Sequence, residues 1–270
     1  MANDKKRVHE NNLTLIRSLI TKHKKHDHIF AGVGMFIIIS LTITLLVLFL
    51  DLVFDGYPRF NLDFLTNFPS RRATAAGILS AWIGSALVLI VTFFAAVPLG
   101  IAAGVYLEEY AKKNWFSDLI EINVTNLAGV PSIIYGLLAL GLFVYSFGLG
   151  QTILTAGLTL ALLMLPIVIV ATREAIRAIP IHIREAAYAV GATKWQVSLH
   201  HVIQYSYGGI LTGVIIGMAR AIGETAPIIT IGALTFIAFL PPSPVGLEPP
   251  FINFEWLEAG FTVLPIQMFN

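Results

Sequence analysis

The sequence predicts an all-α fold: a polytopic membrane helical bundle of about six transmembrane helices with a cytoplasmic N-terminus. Hydrophobic residues make up 56% of the chain, charged residues only 12%, and the mean hydropathy is +0.79. Soluble domains carry about 25% charged residues. The composition therefore indicates an integral membrane protein. Because the chain has no cysteine, disulfide frameworks, thiolate metal sites and cysteine nucleophiles are excluded.

The apolar runs give the number of spans, since a spanning helix needs about 20 apolar residues. Three runs without Asp, Glu, Lys or Arg meet this requirement: 29–50, 73–107 and 122–172. The third is too long for one crossing, and its stretch "SFGLGQ", 146–151, predicts a tight turn between two helices. A further helix is predicted over 207–240. The apolar residues 259–270 are too few to cross, so we expect five full spans and a truncated or re-entrant sixth.

Lysine and arginine set the orientation, because positively charged short loops stay in the cytoplasm. Thirteen of these residues lie in the head before Ile29, in the loop after the second span and after the fourth, against three on the opposite side. We therefore divide the chain into a basic cytoplasmic N-terminal segment, 1–28, and a transmembrane domain, 29–270, with a cytoplasmic loop at about 177–204. The basic head is expected to meet anionic lipid.

The cytoplasmic loop contains an ordered polar stretch, "IREAAYAVGATKWQVSLHHVI", between two apolar runs. Its first part predicts a short helix, which Gly191 can end by adopting a positive φ. Thr193 can then cap a second helix.

The small side chains of Ala186 and Ala187 predict a shallow helical surface with Arg184 and Glu185 at its rim. Such a surface suits close approach by another protein. The alternative is an amphipathic elbow that only connects two spans.

Glu185, Ala186, Ala187 and Gly191 match the EAA...G loop of the membrane subunits of ABC importers, whose short coupling helix sits in a cleft of the ATPase. The chain lacks the proline that ends the fuller family pattern and has Gln204 at that position. Three further stretches resemble the PstA-type permeases of phosphate-specific transport systems: "GIAAGVYLEEYA", "NLAGVPSIIYGLLALGLF" and "MARAIGETAPIITIGA".

This resemblance implies an ABC importer permease fold in a bacterial inner membrane and a transport subunit rather than an enzyme. It also implies three kinds of partner: a similar permease of the PstC type forming a heterodimer, a dimer of PstB-type ATP-binding subunits, and an external PstS-type phosphate-binding protein. No nucleic acid partner is expected. The pattern G-x-x-x-x-G-K-[ST] is absent. We therefore expect no cofactor on this chain, with ATP and Mg on the partner ATPase.

The predicted substrate pathway rests on Arg220 and Glu224, which are four residues apart and can face each other on a helix. A charged side chain at the membrane centre costs roughly 2.5 to 3.5 kcal/mol. Arg220 and Glu224 therefore either neutralise each other as an internal ion pair or line a water-filled pathway. The resemblance implies that an Arg and a Glu in this span are needed for transport. We expect the planar guanidinium of Arg220 to contact the anion, and Glu224 to lower the affinity of Arg220 for it. Sulfate or molybdate instead of phosphate, and an ion-coupled carrier or channel, remain alternatives.

Small residues recur every fourth position at Gly209, Gly213 and Gly217 and allow close helix contact, either with the partner permease or within this chain. Pro131 in "GVPS" predicts a break in its span. The break either lies near the substrate pathway or serves only the packing of the helices. The histidines have no converging carboxylates or thiolates, so no metal site is expected.

Overall fold

The computed structural model describes residues 2–72, 75–112, 114–234, 237–245 and 251–268, and of residues 2–23, 25 and 26 it describes the backbone only. These residues are helical or irregular, with no strand among them beyond an isolated bridge between Val245 and Ile252. The predicted all-α class is therefore confirmed.

Eleven α-helices are found in the described ranges: α1 Ala2–Gly56, α2 Leu62–Thr66, α3 Leu79–Val105, α4 Trp115–Leu127, α5 Ser132–Ala139, α6 Ile153–Arg177, α7 Ile181–Ala189, α8 Lys194–Val197, α9 Ile203–Gly223, α10 Ala226–Ile231 and α11 Leu264–Gln267. Three π-helical turns continue these helices. Tyr106–Tyr110 extends α3, Leu140–Ser146 extends α5, and Ser198–Val202 joins α8 to α9.

The chain divides into two units, residues 1–61 and 62–270. The first unit consists mainly of α1, followed by a 3-10 turn at Tyr57–Arg59. The segment Asp27–Arg59, made of the second half of α1 and this turn, is apolar enough to cross a membrane. Because α1 is continuous through residue 28, the secondary structure does not mark the predicted boundary between the basic segment and the transmembrane domain. That boundary stays a prediction.

The second unit contains three more helices long and apolar enough to span a membrane: Leu79–Tyr110, Ile153–Arg177 and Lys194–Gly223. The pair α4 and α5 passes the same criteria but is bent by 104°. With α1 the described residues thus give four spans, or five if the bent pair counts as one. A count of six stays a prediction.

The bend between α4 and α5 lies at the "GVPS" stretch. Pro131 precedes the first residue of α5 with ψ of 134°, outside the helical region, and a proline disfavours helical backbone in the residue before it. The predicted break at Pro131 is therefore confirmed, and it divides this part of the hairpin into α4 and α5. The predicted tight turn is also present, with Gly148 and Gly150 both at φ of +68°.

The helix predicted over 207–240 is wrong at both ends. It begins at Ile203 and ends at Gly223, where Glu224 is extended, and α10 follows with Pro227 in its first turn. Pro227 has no N–H to continue an α-helical ladder. The apolar composition continues beyond this point, which is why hydropathy alone extended the helix.

Helices α3, α6 and α9 form the centre of the second unit, with α6 packed against both others. Buried apolar side chains fill this centre at two levels: Leu87, Val88, Leu160, Ile228 and Phe261, and Ala96, Met164, Val168 and Val214. The predicted short sixth span is a segment folded against α3. Its Leu264 N–H donates to Ser85 Oγ at 2.8 Å.

The glycines of α9 pack either against a partner permease or within this chain, and their neighbours distinguish the two. A Cβ on Gly209 would lie 2.7 Å from Ala175 Cβ, and a Cβ on Gly213 would meet Ala171 Cβ. Both neighbours lie on α6. The glycine stripe therefore packs within this chain, and it leaves a different face of α9 uncovered by α6.

Candidate functional site

The cytoplasmic loop folds as its residues predict. α7 ends in a turn in which Gly191 adopts φ of +85° and donates its N–H to Tyr188 O at 2.9 Å. Thr193 then caps α8 in a reciprocal arrangement: Gln196 N–H donates to Thr193 Oγ1 at 3.3 Å, and Thr193 N–H donates to Gln196 Oε1 at 2.8 Å. This capping box satisfies two donors of the helix start. The loop is therefore a defined pair of short helices.

The adjacent alanines Ala186 and Ala187 of α7 face in different directions. Ala187 is buried in an apolar cluster with Ile176, Val197 and Val202 of its own chain, whereas Ala186 is exposed. Neighbouring residues on a helix differ in direction by about 100°. The predicted shallow surface is thus wrong for Ala187. The exposed residues of α7 include Glu185, Ala186 and Tyr188, and Val190 directly after the helix is exposed as well.

Arg184 was predicted at the rim of this surface, and that placement is wrong because its side chain points inward. Its Nη2 and Nε donate to Glu109 Oε1 at 2.9 and 3.1 Å. The same guanidinium donates to Ile179 O at 3.1 Å and to Ile176 O at 3.0 Å. The last carbonyls of a helix lack partners within that helix, and Glu109, only 8% exposed, needs a positive partner.

A larger group of charges surrounds this contact. Arg173, whose side chain is 7% exposed, binds Glu121 at 2.6 Å and Glu108 at 3.4 Å. Arg177 binds the same two carboxylates at 3.1 and 3.0 Å. We call the six residues of these contacts the cytoplasmic charge cluster: Glu108, Glu109, Glu121, Arg173, Arg177 and Arg184.

Sequence reasoning missed this cluster, because it used the arginines only for orientation. A signal was present in "YLEEY", where two glutamates directly follow the apolar run that ends at Leu107. The same side of the membrane receives three arginines from residues 173–184. Opposite charges at the same membrane depth indicate ion pairs.

Arg220 and Glu224 form the predicted ion pair, with Arg220 Nε 3.3 Å from Glu224 Oε1. Their side chains are 43% and 16% exposed. Within the described part of the chain, no hydrogen bond or ion pair is found for Nη1 or Nη2 of Arg220. The contact is confirmed, and the roles of the two residues in transport stay predictions.

The buried side of Glu224 is tightly packed. With Ser85, Leu160 and Ile228 it lines a cavity of about 10 Å³, enough for roughly one water molecule. An oxyanion does not fit in a cavity of this size, whereas the side chain of Arg220 is half exposed. The bend at Pro131 brings α5 beside the segment that follows Glu224, and a Cβ on Gly136 would lie 2.6 Å from Pro227 Cα.

The described residues contain no group of three or more His, Cys, Asp or Glu that could hold a metal ion. His182 Nδ1 lies 3.3 Å from Glu185 Oε2 on the exposed side of α7. His200 and His201 are exposed in the π-helical turn Ser198–Val202 that precedes α9.

Known proteins resemble this chain over most of its length. Residues 96–245 match the family described as binding-protein-dependent transport system inner membrane component. A probable ABC transporter permease protein of Bacillus subtilis, YqgI, is 32% identical over 88% of this chain and 77% of its own length. The phosphate transport system permease protein PstA of Haemophilus influenzae is 30% identical over 88% of this chain and 84% of its own.

The PstA protein of Mycobacterium leprae is 40% identical over 73% of this chain, and the match spans 60% of that relative, less than two thirds of its length. The family match covers more than half of the chain, and it includes the cytoplasmic loop, α9 and the pair Arg220 and Glu224. The apolar helices of the structure agree with a membrane-embedded transport subunit. The chain belongs to the family of inner membrane components of binding-protein-dependent transport systems.

Proposed function

We propose that this chain is the permease subunit of an ATP-driven importer of inorganic phosphate. It works beside a second permease of similar fold, a dimer of ATP-binding subunits and an external phosphate-binding protein. Support comes from the family, whose description includes dependence on a binding protein, and from relatives named as phosphate transport permeases.

The observation that carries the proposal is the half-exposed guanidinium of Arg220 on a membrane-spanning helix. A guanidinium presents parallel N–H donors that match two oxygens of a phosphate. Glu224 occupies one edge through Nε and leaves Nη1 and Nη2 for an anion. Its negative charge opposes anion binding and keeps the contact weak enough to release the cargo.

Energy enters through the exposed surface of α7, which docks in a cleft of the ATPase. Glu185, Ala186 and the turn at Gly191 form that contact, while Ala187 anchors the helix to its own chain. ATP and Mg bind to the partner, since the sequence has no P-loop pattern.

The test is uptake by proteoliposomes that contain the full complex, with binding protein outside and ATP inside. We expect phosphate uptake that requires both. Uptake of sulfate or molybdate in preference to phosphate would assign the cargo to another oxyanion. Phosphate uptake by the chain without ATP and ATPase would identify a carrier or channel and contradict the proposal.

Docking is tested with two substitutions at one position. Ala186→Arg places a long charged side chain on the exposed surface and should release the ATPase from the purified complex. Ala186→Ser keeps the small volume and should retain it. Full retention of the ATPase with coupled transport in Ala186→Arg would show that α7 is only an elbow between spans.

A further inference from the structure

The cytoplasmic charge cluster connects α7 to the membrane helices in a specific way. Among the described residues, the pair Arg184 and Glu109 is the ion pair that joins α7 to another helix, whereas the pair of His182 and Glu185 lies within α7. Arg184 also donates to the carbonyl of Ile176 in the last turn of α6 and to that of Ile179 in the turn between α6 and α7. One side chain of α7 is thereby fixed to the extension of α3 and to α6 at once.

The remaining four residues of the cluster join three helices. Glu108 from the extension of α3 and Glu121 from α4 both bind Arg173 and Arg177 of α6. Arg173 is nearly fully buried, so loss of either carboxylate would leave it with an incomplete set of partners. Shared, charge-assisted hydrogen bonds of this kind hold the helix ends in one relative orientation.

We propose that Arg184 and Glu109 are positioning residues that transmit the displacement of α7 to α3 and α6. The other four members of the cytoplasmic charge cluster make the ends of α3, α4 and α6 move together. The inference rests on the proposed function, because the displacement comes from the ATPase docked on α7.

A movement of α6 can also reach Arg220, because α6 packs closely against α9. α6 lies against α9 along Gly209, Gly213 and Gly217, with so little space that an added Cβ on the first two would meet α6 side chains. Close-packed helices respond to a shift of their neighbour because they leave no room to absorb it. A movement of α6 therefore reaches the helix that carries Arg220.

Apolar contacts alone would give a looser connection. Ala187 packs in an apolar cluster with Ile176 and Val202, and such contacts are non-directional. The guanidinium of Arg184 instead donates hydrogen bonds, which are directional, to Glu109 and to the carbonyls of Ile176 and Ile179. These hydrogen bonds restrict the direction in which a displacement of α7 is transmitted to α3 and α6.

The first experiment uses Glu109→Gln in the full complex, with phosphate uptake and ATP hydrolysis measured on the same proteoliposomes. We expect the ATPase to stay bound and hydrolyse ATP while phosphate transported per ATP falls about tenfold, a typical coupling between sites. The matched control is Glu174→Gln, which removes the same charge from an exposed residue whose ion pair lies within α6. An unchanged ratio in Glu109→Gln would overturn the inference.

A second variant separates a mechanical link from a general loss of fold. The chain has no natural cysteine, so Glu109→Cys combined with Arg184→Cys provides two unique thiols, in a complex whose other subunits have been freed of cysteine. We expect the double variant to be uncoupled and a short bifunctional thiol reagent to restore transport per ATP. Continued uncoupling after complete cross-linking would contradict a mechanical role.

Failure of the proposed function is recognised separately, in the unmodified complex. If that complex shows no ATP-dependent phosphate uptake, the cargo or the energy source is wrong. If it transports phosphate and both variants behave like it, only the inference about Arg184 and Glu109 is wrong.

Discussion

Two groups of arginine and glutamate in this chain have the same chemistry but differ in burial and in the number of their partners. In the cytoplasmic charge cluster Arg173 is 7% exposed and contacts carboxylates from two other segments. Arg220 is 43% exposed, and its ion pair is with Glu224, four residues further along the chain. The first arrangement uses the guanidinium to join helices, and the second leaves its outer nitrogens available for a ligand. Burial and partner number therefore distinguish structural arginines from a candidate anion contact.

The largest predicted effect concerns Arg173. Arg173→Ala leaves Glu108 and Glu121 with less positive charge in a partly buried setting, and we expect a loss of about 3 to 5 kcal/mol in unfolding free energy. Denaturant unfolding in detergent micelles measures it. Arg177→Ala removes a half-exposed partner of the same carboxylates and should cost about 1 kcal/mol. Equal losses of unfolding free energy for the two substitutions would show that the burial of Arg173 does not distinguish it from Arg177.

A smaller effect is expected at the contact of α6 and α9, which connects the two groups. Gly209→Ala brings a Cβ to 2.7 Å from Ala175 Cβ, and we expect a loss of about 1 to 3 kcal/mol from overpacking. Gly208→Ala is the control, since no atom lies within 4 Å of its added Cβ. Alanine favours the helix by up to about 1 kcal/mol there. Thermal unfolding in detergent should show a lower melting temperature for Gly209→Ala and a higher one for Gly208→Ala.

Glu224→Gln tests whether this carboxylate moderates the grip of Arg220. Removing its negative charge should strengthen anion binding by about tenfold, equivalent to roughly 1.4 kcal/mol. We expect a lower KM for phosphate and slower turnover in the full complex, because release becomes harder. A raised KM with unchanged turnover would show that Glu224 instead holds Arg220 in its binding geometry.

An effect of similar size is predicted in the loop of α7. Gly191→Ala forces an alanine into φ of +85° and should destabilise the turn by about 1 to 2 kcal/mol. Gly191→Asn should cost less, because asparagine tolerates the left-handed region. Binding of the ATPase subunit, measured by co-purification, should follow the order Gly, Asn, Ala. Equal binding of all three would show that the shape of the turn does not matter for docking.

The sequence predicted the features that depend on local chemistry. The spans α3 and α6 follow from uninterrupted apolar runs, and the turn after α5 follows from Gly148 and Gly150. The end of α7 at Gly191 and the cap at Thr193 depend on residues within four positions of each other. The pair Arg220 and Glu224 was predictable for the same reason, since four residues bring two side chains together on a helix.

Features that depend on contacts between distant residues were not predictable in this way. Glu109 and Arg184 are 75 positions apart, and Glu108 and Arg173 are 65 apart. No periodicity marks such pairs. The inward side of α7 was missed because the small volume of alanine is the same whether it faces a partner or the core of its own chain. Hydropathy likewise failed to end α9 at Gly223, because the residues beyond it are equally apolar.

The most direct test of this account is ATP-dependent uptake of radiolabelled phosphate by the complete complex carrying Arg220→Gln, normalised to the amount of folded complex. Arg220 is half exposed, and within the described part of the chain its side chain makes no hydrogen bond or ion pair to another helix. The substitution should therefore leave the melting temperature nearly unchanged and reduce uptake by about tenfold or more, as expected for the loss of a hydrogen bond to a charged group. Uptake at the unmodified rate would contradict the assignment of Arg220 as the anion contact.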